Sequence, residues 1–423
     1  MKKAVLSLLL LPTLCHAQAP TLSEAAPASV GISADRLNRI DRVLQEYVDQ
    51  GKQAGIIALV ARNGKIVYHK AFGMDNPATK TPLKRDAIFR IASQTKAITT
   101  VAAMMLFEEG RILLDEPISK YIPAFKNPTV LDKFNETDST YTTKPARGEI
   151  TIRQLMTHTS GISYAGIGTK EAVAIYAKAG IPSGIDTPMN SLSVSIPALA
   201  KLPLMQNPGE KWTYSLSTDV LGYLVEVVSG QSLDQFFRTR IFEPLGMNDT
   251  YFYLPQAKQN RLATVFTETP KTKELVPMPM QGGISPDYPK QVGTYYSGGA
   301  GLSSTAVDYA VFLQMMLNNG SYNGKQILGP ATVRLMLQNQ IGALSVGENK
   351  FGLGFAIASP AGAAKLPVSV GSFSWGGFFG TDYWADPQQG VIGLIITQKV
   401  PNSYGDLNDK FKVLVYQALT TLK

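Results

Sequence analysis

Ile56–Ile57–Ala58–Leu59–Val60–Ala61, then Arg62–Asn63–Gly64–Lys65, then Ile66–Val67–Tyr68, is the stretch on which the fold class turns. Asn-Gly between two apolar runs is the strongest short-range hairpin signal, because a two-residue turn of the favoured hand needs positive φ at both positions. Just upstream, Ser33 is placed to cap a helix whose apolar face is Leu37, Ile40, Val43, Leu44, Tyr47 and Val48, with Gly51 placed to end it. Helix followed by antiparallel hairpin points to an α+β arrangement and away from a parallel dinucleotide-binding sheet.

The C-terminal end mirrors this pattern. A turn at Asp386–Pro387–Gln388–Gln389–Gly390 precedes the buried-strand run Val391–Ile392–Gly393–Leu394–Ile395–Ile396. Leu407, Phe411, Leu414, Val415, Ala418 and Leu422 then mark one face of a last helix. Strands and helices from both termini suit one antiparallel sheet flanked by helices. The expected organisation is a discontinuous α/β domain (α+β type) from residues 33–110 and 290–423, interrupted by a mostly helical domain at 111–289. In that insert, Ser232 with Gln235 forms a capping box after a Val220–Val228 helix stopped by Gly230.

The 423 residues leave room for two or three domains at roughly 100–200 residues each. With 44% hydrophobic and 17% charged residues the chain can bury an ordinary core, so whole-chain disorder is excluded. The net charge of +8 is scattered, and its densest run, Lys80 to Arg85, is closed by Asp86. No basic stripe interleaved with aromatics is present, so nucleic acid is not an expected partner.

The first residues read as an export signal. Lys2 and Lys3 precede an apolar run from Ala4 to Leu11, and small residues follow around Cys15–Ala19. Cleavage is expected after Ala17, which makes 1–17 the signal and 18–32 a short Ala/Pro/Ser-rich leader. The apolar run is far short of the ~20 residues that a membrane span needs, so no stable membrane insertion is expected. The expected location is outside a bacterial cytoplasm, periplasmic or secreted. Cys15 would leave with the signal, and a mature chain without cysteine has no disulfide or thiol chemistry.

Three histidines (His16, His69 and His158) without an H-E-x-x-H make a histidine metal site an unexpected feature, and no metal or organic cofactor is expected. The chain also lacks G-x-S-x-G. Any serine hydrolase here must use a base other than the usual histidine.

Ser93–Gln94–Thr95–Lys96 meets that condition. It is the only S-x-x-K in the chain and opens an apolar helical stretch running to Leu106. Ser93 at the helix start and Lys96 three residues on share a face. The free N–H groups there favour a developing negative charge. A lysine desolvated by apolar neighbours can accept a serine proton. The pattern also arises by chance as an ordinary cap and an ordinary lysine.

Tyr214 follows a Pro208–Gly209 turn and is presented on a loop, either as a reactive phenol or as a half-buried tyrosine with a satisfied hydroxyl. Gly371–Ser372–Phe373–Ser374–Trp375–Gly376–Gly377–Phe378–Phe379–Gly380 lets backbone approach a ligand closely, and an N–H there can complete an oxyanion hole. A sheet-edge bulge under an aromatic cover is the alternative. Gly298–Gly299–Ala300–Gly301 lacks the residues of a phosphate loop and reads as a tight strand-to-helix turn.

In order along the chain, Ser93/Lys96, Tyr214 and Trp375–Gly376–Gly377 resemble the serine-active β-lactamase-like superfamily, and within it the family VIII carboxylesterases. Ile150 to Gly161, Tyr214–Ser215–Leu216 and Ser297 to Leu302 carry the resemblance through most of the chain. It implies that Ser93 is acylated, Lys96 takes its proton, and Tyr214 serves as a second acid/base. Backbone N–H groups of Ser93 and Phe378 would form the oxyanion hole, Trp375, Gly376 and Gly377 would line the substrate site, and His158 would be structural.

Two departures separate siblings. Leu216 stands where class C β-lactamases carry asparagine, and Trp375–Gly376–Gly377 replaces their Lys-Thr-Gly. Losing that lysine forfeits a charge-assisted contact to the lactam carboxylate of about 1.5–3 kcal/mol. Hydrolysis of short- to medium-chain esters is therefore the expected activity. Slow opening of β-lactams, D,D-peptidase activity, acyl transfer or amide hydrolysis are the alternatives inside the superfamily. A non-catalytic cell-wall-binding or sensor protein is the alternative outside it.

Overall fold

The computed structural model describes residues 21–280 and 283–423, so the expected signal segment, with Cys15 and the Ala17 cleavage site, lies outside the described residues. Nine strands form the main sheet. The N-terminal part supplies β1 (Ser23–Glu24), β2 (Gly55–Arg62), β3 (Lys65–Asn76) and β4 (Thr81–Pro82). The C-terminal part supplies β5 (Lys350–Phe351), β6 (Ala356–Ile357), β7 (Phe373–Gly377), β8 (Thr381–Asp386) and β9 (Val391–Ile396). Their order is β1-β3-β2-β9-β8-β7-β6-β5, with β4 on β3. All pairs are antiparallel except the short β1–β3 contact. The two ends of the chain meet where β9 pairs with β2, Leu394 opposite Leu59.

The hairpin forms where the Asn-Gly pair placed it. Asn63 (φ +51°) and Gly64 (φ +78°) occupy the turn, with Arg62 opposite Lys65. The run in β2 reads as continuously apolar because both faces are covered. Ile57, Leu59 and Ala61 enter one core, while Ile56, Ala58 and Val60 enter the other.

Five helices frame the sheet and site: α1 (Arg39–Asp49), α2 (Thr95–Glu108), α3 (Ser217–Ser229), α4 (Ala306–Leu317) and α5 (Asp406–Tyr416). Ile40, Leu44 and Tyr47 of α1 and Leu407, Phe411 and Val415 of α5 pack on one face. Each such fully buried aliphatic or aromatic side chain contributes about 1.5–3 kcal/mol. Ser33 caps Ala34–Leu37, accepting from the Arg36 N–H, but Asn38 separates that turn from α1, so the expected single helix is two. Leu422 is 75% exposed, because α5 ends at Tyr416 and the chain leaves the core after Leu419.

On the other face α2 is buried from Thr95 to Leu106. A helix apolar all round belongs in an interior. Its buried hydroxyls are satisfied: Thr99 donates to the carbonyls of Thr95 and Gly298, and Thr100 to that of Lys96.

Residues 111–289 hold α3 and shorter helices, together with the hairpins Thr129–Phe134/Tyr141–Pro145 and Phe266–Glu268/Leu275–Pro277. Leu216, Val220 and Leu224 from this stretch join the same apolar cluster as α2 and the sheet. Gly230 ends α3 in the left-handed conformation, as its position implied. The expected Ser232/Gln235 box is only half made: the Ser232 hydroxyl accepts the Gln235 N–H, whereas the reciprocal box is at Thr151 and Gln154.

Candidate active site

Ser93 lies in a 3-10 turn, Ala92–Gln94, that runs directly into α2. Ala92 carries φ +41°, a conformation that costs a non-glycine residue energy and bends the chain just before Ser93. One turn on, Lys96 is only 2% exposed. Its Nζ is 3.3 Å from the Ser93 Oγ and donates to the Gly299 carbonyl at 2.7 Å. Its Nζ also sits 4.6 Å from the Tyr214 ring centre and 5.5 Å from that of Tyr164.

Tyr214 completes the cluster, its hydroxyl donating to the Ser93 Oγ at 2.6 Å. The loop presenting it is held from both sides, by Thr213 N–H to the His158 carbonyl and Leu216 N–H to the Ser163 carbonyl. Its ring stacks on Tyr164 and packs against His158 and Trp375. His158, Ser163 and Tyr164 thus seat Tyr214. His158 is buried, hydrogen-bonded to Ser215 at 3.0 Å, and held neutral: burial, then the Lys96 charge, push its pKa well below the usual value.

The end of β7 reaches the same point. Trp375, Gly376, Gly377 and Phe378 line one cleft with Ser93 and Tyr214, about 860 Å³ in volume. A Cβ on Gly377 would fall 2.4 Å from the Ile91 carbonyl and 2.3 Å from the Thr381 hydroxyl. Only a bare backbone lets this strand lie against the chain that leads into Ser93. Gly377→Ala is accordingly expected to push β7 and the Phe378 N–H away from Ser93. Ester kcat should fall about 10²-fold, the scale of one lost oxyanion donor, with the protein still folded by circular dichroism.

Asp219 was not singled out from the sequence, and the run at 297–301 was read there only as a turn and a part of the resemblance. The small-residue run at 297–301 is no mere strand-to-helix turn: no strand precedes it, and the Gly299 carbonyl holds Lys96. Asp219 on α3 is fully buried, its Oδ1 accepting from the Ser297 hydroxyl at 2.7 Å and its Oδ2 left without a hydrogen-bond partner. A Cβ on Gly299 would lie 2.5 Å from that Oδ2 and 3.4 Å from the Lys96 Nζ. Burial pushes the Asp219 carboxyl up, opposed by the Ser297 hydrogen bond and the Lys96 charge. The sequence signal at 297–301 was five small residues in a row, room for backbone to approach a side chain.

Asp219→Asn keeps the shape and removes this buried charge. Thermal stability should hold or rise, while ester kcat/KM falls about tenfold or more, the scale of one charged neighbour on a titrating group. A variant with full activity would reduce Asp219 to a packing group. Among the described residues no group of three His, Cys, Asp or Glu is placed to hold a metal ion.

A serine flanked by a buried lysine and a tyrosine, where the end of β7 meets the start of the central helix α2, is the arrangement of a serine hydrolase of the β-lactamase type. Residues 40–417 match the Beta-lactamase family, and the chain belongs to it. Esterase EstB of Burkholderia gladioli is 30% identical over 390 residues, covering 89% of this chain and 94% of that protein. In structure the chain is similar to EstCE1, a hydrolase with promiscuous acyltransferase activity, at TM-score 0.78 and 30% identity over 90% of this chain and 99% of that one. It is also similar to simvastatin synthase from Aspergillus terreus, at TM-score 0.76 and 25% identity over 91% and 98% of the two chains. These relatives support the family VIII esterase resemblance within the superfamily.

Proposed function

We propose that the protein is an exported carboxylesterase that hydrolyses short- to medium-chain esters through an acyl-enzyme on Ser93. One observation carries the reading: the Ser93 Oγ sits 2.6 Å from the Tyr214 hydroxyl and 3.3 Å from the Lys96 Nζ, in a cleft where Trp375 stands at the usual lysine position.

In acylation the Ser93 Oγ bonds to the ester carbonyl carbon as its proton passes to Lys96. The carbonyl oxygen takes up the negative charge facing the backbone N–H groups of Ser93 and Phe378. Collapse breaks the ester C–O bond, and Tyr214 relays a proton to the departing alkoxide. In deacylation Tyr214 and Lys96 take a proton from water as it attacks the acyl carbon, and Ser93 recovers its own. Positioning and preorganised donors account for the rate in such a site, without a cofactor.

Acyl transfer to an alcohol is the second reading, favoured by the relatives EstCE1 and simvastatin synthase; an alcohol then replaces water in the second step. The apolar N-terminal run after Lys2 and Lys3 supports export to the periplasm or medium.

The test uses the mature protein and Ser93→Ala with 4-nitrophenyl butyrate and a chromogenic cephalosporin. Fast ester turnover with slow lactam opening is expected, both lost by about 10⁴-fold or more in the variant. Efficient lactam hydrolysis would assign the protein to the β-lactamase siblings. No Ser93-dependent turnover of either substrate would remove the hydrolase roles given to these residues.

A further inference from the structure

The cleft around Ser93 is lined by two unlike sets of side chains, an apolar wing and a polar one. One is built from Ile167, Ile181, Ile185 and Ile284, and Ile167 leaves 60% of its surface exposed there. The other carries Asp382, Asn402 and Asn408. Among the described residues of the lining no lysine, arginine or histidine appears, and Asp382 is its one acidic side chain.

Asp382 is anchored from behind. Its Oδ2 takes the Lys412 ammonium at 2.9 Å, and Lys412 lies against the Trp384 ring and does not line the cleft. Its Oδ1 lies 3.7 Å from where a Cβ on Gly376, another lining residue, would sit. Asp406 and Asp409 stand in the first turn of α5 beside Asn408, with Lys410 and Lys412 following on the same helix. Asp406 is already paired with Lys410.

A carboxylate brought into such a cleft loses hydration and gains no cation in return, a cost that a neutral group of the same shape escapes. The volume suits a drug-sized molecule and exceeds what a butyryl ester fills. We propose that the cleft selects uncharged esters, seating their hydrocarbon portion against the isoleucine wing and a neutral hydrogen-bonding portion against the asparagines, and rejects esters that carry a carboxylate. The inference rests on the esterase reading and adds its substrate class.

The test compares two acyl groups of matched shape on one leaving group. 4-Nitrophenyl 5-methylhexanoate ends in an uncharged isopropyl fork; 4-nitrophenyl hemiglutarate ends in a carboxylate at the same place. The neutral ester is expected to show at least tenfold higher kcat/KM, with the difference shrinking as salt is raised, since exposed charges are screened. Asn408→Lys places a cation on the half-buried rim without disturbing the core and is expected to narrow the ratio severalfold. Equal turnover of the two esters, or preference for the anionic one, would overturn the inference while leaving the esterase reading in place. A gap unmoved by Asn408→Lys and by salt would also overturn it, by showing that shape and not charge discriminates. Hydrolysis of neither ester would remove the esterase reading and the inference together.

Discussion

Lys96→Met is expected to lower ester kcat/KM by about 10³-fold or more, with a folded protein of equal or higher melting temperature. The substitution keeps the length of the side chain and removes its charge. What is lost is the group 3.3 Å from the Ser93 Oγ that takes its proton, together with the contact to the Gly299 carbonyl. What is gained is an apolar side chain in a site that is 2% exposed, where a polar amine is costly to bury. Activity and stability should therefore move in different directions, which separates a catalytic role from a structural one. Kinetics with 4-nitrophenyl butyrate, covalent labelling by a fluorophosphonate and a thermal melt together decide the matter. A folded variant with near wild-type turnover would take Lys96 out of the mechanism.

Tyr214→Phe is the second large effect, expected to reduce kcat about 10²–10⁴-fold with KM little changed. Only the hydroxyl is deleted. The ring keeps its stacking on Tyr164 and its contacts with His158 and Trp375, so the cleft wall stays in place. The 2.6 Å hydrogen bond to Ser93 disappears, and with it the path for a proton to the leaving group. Burst kinetics would locate the loss, since a variant slow in deacylation accumulates acyl-enzyme. Unchanged kcat would return Tyr214 to the role of a packing ring.

His158 shows how two readings of one residue part company. Its ring lies beside Tyr214, yet it is buried, bonded to Ser215 and held neutral by burial and the Lys96 charge. In a chain with so few histidines it invites a catalytic role, but its neighbours give it the work of seating the Tyr214 loop.

Local signals were enough where the chemistry is local. The Asn63–Gly64 turn, the Gly230 stop and the Ser93/Lys96 spacing all follow from backbone sterics or the helix period over a few residues. Two local readings went too far, a continuous first helix through Asn38 and a last helix face extending to Leu422, because element ends depend on which neighbours cover them. The ordered set Ser93/Lys96, Tyr214 and Trp375–Gly376–Gly377 was legible because each piece has its own short signature.

What only the tertiary structure decided is what each of those pieces touches. The Gly299 carbonyl meets Lys96 across 203 residues of sequence, and Ser297 meets Asp219 across 78. A glycine-rich stretch by itself marks a place where backbone can come close, without naming the partner. A buried aspartate on a helix has no local pattern to distinguish it from an exposed one. The same holds for the charge of the cleft: which side chains line it depends on a sheet edge, a helix and a long loop converging. Periodicity and turn chemistry act along the chain, whereas burial and electrostatics act through space, and the second set becomes readable only once the fold has brought the segments together.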